Sequence, residues 1–274
     1  MKNILAVFLV VFVFAGTSVF GQTANIVRND IDPAEIDRII QRFTQNELEF
    51  REALTSYVFN RSATIQTVGM GGQITGVYRR DSFMTFTGGG ERFERITFAP
   101  VSTLSEINVT PADLEDLGGV NPFALEPRKI ADYTFTYLGK EKIDELSLHV
   151  FDVTPKKIPS VKSGERVFLG RVWVDDRDLM IVKSKGKAQP EDKNNKYPVV
   201  ETWRENVDGK YWFPSYSSAD DTLVFGSGES VRMRMKVTYA DYNVGKTDVR
   251  ILGEDEVVED GPAPKPTPTP KPKP

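Results

Sequence analysis

The chain has 274 residues, with 35 lysines and arginines against 39 aspartates and glutamates, one histidine and no cysteine, for a formal net charge of −4. Without a thiol there is no disulfide frame, cysteine nucleophile or thiolate-held metal, and with His149 alone there is no multi-histidine metal site. The charge balance gives no polycationic footprint for phosphates, so nucleic acid is not an expected partner, whereas carboxylate chemistry and oxygen-ligated cations remain open to this composition.

At the N-terminus, Lys2 precedes an uninterrupted apolar run over residues 4–16, followed by small residues with Val19 and Gly21 placed for cleavage. The run is shorter than the roughly 20 residues that a membrane span needs, so residues 1–21 are predicted to be a secretory signal peptide. No cysteine follows the run to carry a lipid anchor. The mature protein is therefore expected to be periplasmic or secreted, with no stable transmembrane anchor. Residues 261–274 alternate proline with lysine, threonine and alanine; they lack apolar side chains and half of their amide donors, and are expected to be a disordered, extended tail.

Residues 22–260 are long enough for one large core, and no Pro/Gly/Ser-rich linker divides them. A helix is predicted to open this body. Asp32 caps it, Pro33 occupies the favoured first-turn position, and Ile36, Ile39, Ile40, Phe43, Phe50 and Leu54 recur at roughly helical spacing. A second, short helix is predicted over residues 111–117 behind Thr110. Most of the rest alternates. Residues 231–239 set Val231, Met233, Met235, Val237 and Tyr239 against Arg232, Arg234, Lys236 and Thr238, the period-two pattern of a strand wet on one side. Similar runs fall at residues 55–68, 73–78, 82–87, 91–98, 132–139, 146–154, 166–174, 179–185, 199–206 and 210–217, with turn chemistry at Asp208-Gly209 and at Gly88-Gly89-Gly90. One main helix cannot alternate with eleven strands as a parallel sheet requires, so the expected class is α+β, a large antiparallel sheet with a helix against one face.

This sheet carries apolar side chains on both faces, more than one helix covers, and the surplus calls for closure of the sheet, a partner or an apolar ligand. The aromatic and sulfur side chains that recur on these strands, Phe135, Tyr137, Trp173, Trp203, Trp212, Met233 and Met235, are the candidate lining of a ligand cavity. Competing signals are weaker. Asp175, Asp176 and Asp178 lie between two strands, where aspartate serves a turn, and they lack the further ligands of a calcium loop. His149 sits among Leu148, Val150 and Phe151 and reads as a packed residue. The glycines at 69, 71 and 72 do not join a strand to a helix, so they fail as a phosphate loop. Arg232, Arg234 and Lys236 read as the wet side of their strand.

The order of signal peptide, amphipathic helix and long antiparallel meander resembles the periplasmic lipoprotein carriers of the LolA type and related outer-membrane lipoprotein-sorting proteins. The local text is similar to theirs in Leu138-Gly139-Lys140-Glu141-Lys142, in Leu148-His149-Val150-Phe151-Asp152-Val153, in Gly170-Arg171-Val172-Trp173-Val174-Asp175 and in Asp208-Gly209-Lys210-Tyr211-Trp212-Phe213-Pro214. The resemblance implies an open half-barrel of about eleven strands, covered by the N-terminal helix and the short second one. Its apolar face would shelter the acyl chains of a lipid or lipoprotein, without catalysis and without a cofactor. Envelope membrane proteins are further candidate partners, and an envelope sensor or scaffold that binds a protein through the same fold is the alternative function.

Overall fold

The computed structural model describes residues 26–86, 92–110, 113 and 125–245. The predicted signal peptide, the proline-rich tail and the Gly88-Gly89-Gly90 turn lie outside these residues, as does the short helix at 111–117 apart from Asp113.

Helix α1 runs over Pro33–Leu54, and its start follows the expected chemistry: the Asp32 carboxylate accepts the Ala34 N–H at 2.8 Å, and proline fills the first turn. Ten strands follow among the described residues: β1 (Tyr57–Val68), β2 (Ile74–Phe86), β3 (Arg92–Phe98), β4 (Tyr133–Ile143), β5 (Leu146–Pro155), β6 (Val167–Asp175), β7 (Ile181–Gln189), β8 (Val200–Val207), β9 (Tyr211–Val224) and β10 (Ser230–Val244). The spatial order is β3-β2-β1-β10-β9-β8-β7-β6-β5-β4, antiparallel throughout, with β3 and β4 as the end strands among the described residues. Two meanders, β1 to β3 and β4 to β10, are thus zipped together by β1 and β10 into an open half-barrel with a helix against it.

One expected boundary is absent. Residues 73–87 read as two strands, but β2 continues through Arg79, Arg80 and Asp81, since no glycine or proline bends the chain there. The charges that suggested a break are paired instead, Arg79 with Asp81 and Arg80 with Glu94, both at 2.8 Å.

Helix α1 packs on two core clusters of the sheet. Its first half sends Ile39, Ile40 and Phe43 into a cluster with Tyr133, Phe151, Val153, Phe168 and Val172. Its second half sends Phe50 and Leu54 into a cluster with Phe59, Ile65, Phe213, Met233 and Met235. A smaller cluster, Leu148, Val150, Trp173 and Val182, occupies the opposite face of β5 to β7, where Ile26, Leu138 and Trp212 pack against it. Part of the apolar surplus read from the sequence is therefore met by this outer layer. The edge of β4 carries a short bridge in which Val27 and Lys140 exchange backbone hydrogen bonds at 2.7 and 2.9 Å. Glycine is required at position 139 for that approach: its φ is 131°, and a Cβ would stand 2.3 Å from the Val27 carbonyl oxygen.

Candidate ligand-binding cleft

The middle of α1 is where the sheet is left uncovered. Asn46 fixes the helix above the β6–β7 hairpin, its amide donating to the carbonyls of Asp178 at 2.9 Å and Leu179 at 2.8 Å. At the next position Glu47 turns to the sheet, and its carboxylate receives both arms of the Arg204 guanidinium, at 2.5 and 3.1 Å. The pair is nearly dry, with the side chains 3% and 9% exposed, and the guanidinium also lies 4.5 Å from the centre of the Phe50 ring. Such a pair is stable only because each charge satisfies the other in place of water.

Beside this pair opens a cleft of about 440 Å³, within the size range of small-molecule sites. Its floor takes side chains from both core clusters: Phe168, Val172 and Ile181 from one, Ile65, Leu223 and Met233 from the other. Phe168 owes its place to two glycines. Gly170 and Gly186 face each other across β6 and β7, and a Cβ at Gly186 would stand 2.5 Å from the Phe168 ring. The start of β6 is held by Tyr133, whose hydroxyl accepts the Phe168 N–H at 3.1 Å; burial pushes that phenol's pKa up, so it stays a neutral partner.

Two irregular segments wall the mouth. Residues 99–110 leave β3 and run alongside β2, with the Thr103 N–H bound to the Val77 carbonyl at 3.0 Å, then lay Leu104, Ile107 and Val109 on the core. Thr110 and Asp113 cap one another, and the second carboxylate oxygen of Asp113 meets Arg166 at 3.1 Å. Arg166 in turn lies over the ring of Tyr197, on the β7–β8 loop that forms the other wall. In this loop Glu191 accepts the Tyr197 N–H at 3.0 Å and the Lys187 ammonium at 2.9 Å. The result is an apolar trough with a hydrogen-bonding rim, suited to an amphiphile.

The residues nominated from the sequence fall in three places. Met233 lines the cleft, and Met235, two residues on along the same face of β10, is buried in the cluster behind it. Phe135 and Tyr137 pack under the first half of α1, with Phe135 5.7 Å from Phe43 and Tyr137 5.2 Å from Phe151. The tryptophans lie on the other face. Lys183 sits between Trp173 and Trp203, 4.7 and 4.1 Å from their ring centres, and the Trp212 indole donates to Asp178 at 2.9 Å. The structure thus does not bring the seven residues to one site. Sequence reasoning missed Phe168, Ile181 and the Glu47–Arg204 pair. The alternation Phe168, Gly170, Val172 carried a signal for the first; nothing in the sequence joins residues 157 positions apart for the last.

The alternatives to a cleft are plain in the geometry. Asp175, Asp176 and Asp178 form the β6–β7 turn, and no cluster of metal-binding side chains occurs among the described residues. Asp176 binds Lys140 at 2.8 Å, whereas burial first, and the nearby Asp178 charge second, push Asp175 up. His149 is 8% exposed, within 3.2 Å of the Tyr137 hydroxyl, and burial holds its pKa down, with Lys140 adding to the effect. No described helix is long and apolar enough to cross a membrane.

No protein-family model matches the chain, and no curated protein matches it. Among the solved structures similar to it, three are as follows. A DUF1329 family protein from Desulfovibrio piger shares 12% identity over 81% of this chain and 96% of its own, with a TM-score of 0.39. A putative outer membrane lipoprotein-sorting protein domain from Vibrio parahaemolyticus shares 13% identity over 77% and 94%, with a TM-score of 0.34. MucB shares 10% identity over 76% and 94%, with a TM-score of 0.27.

Proposed function

We propose that the protein is an exported, non-catalytic binder of acyl chains, which it shelters in the cleft beside α1 as a periplasmic carrier of a lipid or of a lipoprotein's lipid. The single observation that carries this reading is the 440 Å³ trough, whose floor is apolar and whose mouth is polar. Each buried methylene contributes about 0.8 kcal/mol, so even half of a long chain repays the loss of freedom on binding. No bond is made or broken, and release needs only a competing acceptor for the chain. Phe168, Val172, Ile181 and Met233 are the floor residues that an acyl chain touches.

A second reading, an envelope sensor or scaffold that binds a protein, is favoured by one feature. The end strand β3 leaves Phe93, Ile96 and Phe98 36%, 49% and 50% exposed beside a backbone edge that no described strand joins.

The two are separated by filling the cleft. Val200 is half-buried in its wall, and Val200→Trp places an indole in the trough. Binding of a fluorescent long-chain acyl probe is expected to fall at least about tenfold, as the loss of two buried methylenes already predicts, while thermal stability stays near that of the parent. A variant that folds and binds the probe as before would overturn the carrier reading.

A further inference from the structure

Resting on the carrier reading, we infer that the cleft selects acyl ligands whose polar end is uncharged, an ester, amide or hydroxyl, and that Glu191 sets this selectivity against anionic heads. The charges around the mouth carry the inference. Among the described residues, every cation that lines the cleft faces a carboxylate: Arg204 meets Glu47 at 2.5 Å, Arg166 meets Asp113 at 3.1 Å, and Lys187 and Lys196 share Glu191 at 2.9 and 4.0 Å. A further acid, Glu106, lines the same mouth.

An anionic head entering this ring finds each of these described cations already opposed by a carboxylate. It must either displace a carboxylate from its partner or stand partly desolvated among carboxylates, and both routes cost it the water that it leaves behind. An uncharged head meets different groups. The side-chain amides of Asn108 and Asn194 line the mouth with no protein partner among the described residues, and each offers both donors and an acceptor. A hydroxyl, ester or amide exchanges its water for these at little loss.

Glu191 is singled out because one carboxylate is the anionic partner of two lysines. It is 17% exposed in its side chain, and it is also the anchor of the loop through the Tyr197 N–H at 3.0 Å. Glutamine at this position keeps an acceptor for that N–H and removes the charge, leaving Lys187 and Lys196 to face the mouth. The residue acts on the ligand through these lysines.

The test is a competition on the full chain. A fluorescent acyl probe is displaced by 1-monopalmitoylglycerol and by palmitoyl lysophosphatidylglycerol, both below their micelle concentrations. The neutral lipid is expected to bind at least about tenfold more tightly than the anionic one, a modest share of the cost of desolvating a charge. In Glu191→Gln the anionic lipid is expected to gain about tenfold while the neutral one stays unchanged, and the gain should disappear with added salt. In the triple variant that adds Lys187→Gln and Lys196→Gln, the gain should be suppressed. Equal or tighter binding of the anionic lipid by the parent protein overturns the inference and leaves the carrier reading intact. So does a Glu191→Gln effect that moves both lipids together or neither. If the parent protein binds neither lipid nor the probe, the carrier reading itself fails.

Discussion

Glu47 and Arg204 meet under α1 with almost no water, and the worth of that contact lies in what its loss would expose. Removing one member of a buried pair leaves the other charged and unsolvated, at a cost of about 3 kcal/mol or more. Urea unfolding of Glu47→Gln should register that loss, and an unchanged midpoint would mean that water reaches the guanidinium. Asp175 poses the reverse case. One of its carboxylate oxygens is buried without a hydrogen bond among the described residues, and its pKa is raised by burial and by Asp178. A raised carboxyl supports the fold below its unfolded value of about 3.9 and withdraws that support as pH climbs through the folded value. At neutral pH it is therefore a liability, and Asp175→Asn should raise the melting temperature at pH 7 but not at pH 3. His149 is lowered, so its contribution is complete above about 6.5, its unfolded value, and is lost as pH falls below that. His149→Gln should flatten the decline in melting temperature between pH 7 and pH 5, and an unaltered decline would place the titrating group elsewhere.

At the scale of elements, the sequence was most readable where chemistry is local. Asp32 and Pro33 announced α1, and the alternation of residues 231–239 announced β10, since capping and pleating depend on neighbours in the chain. The apparent division of β2 misled because charged residues resemble a turn until their partners on β3 are known. The walls of the cleft were not readable at all. Residues 99–110 and the β7–β8 loop have no period; their course is set by contacts with distant strands, as in the Thr103–Val77 bond. The floor depends on a finer feature, the Gly170–Gly186 pair that lets the Phe168 ring lie across β7. Gly186→Ala must push that ring or the Leu169 carbonyl aside, since a Cβ comes within 2.5 Å of both. It should cost about 1–3 kcal/mol as overpacking does and weaken acyl binding; a variant as stable and as competent as its parent would show the ring to be free to move.

The whole molecule explains why the nominated aromatic residues do not converge on the cleft. A strand's period tells which residues share a face, but it does not tell whether that face looks toward the helix or away from it. Trp173, Trp203 and Trp212 alternate with the cleft-facing residues of their strands and belong to the outer face, where lysine and carboxylate partners cover them. The same alternation describes a filled core and the wall of a cavity equally well, so the 440 Å³ left between α1, the sheet and the two loops became visible only with every side chain in place. What that space holds in the cell is the central matter. Native mass spectrometry of the protein taken from its source cells without detergent tests it most directly: the account predicts a population carrying additional mass that fragments to fatty acyl groups, and a protein that flies bare at every collision energy would contradict it.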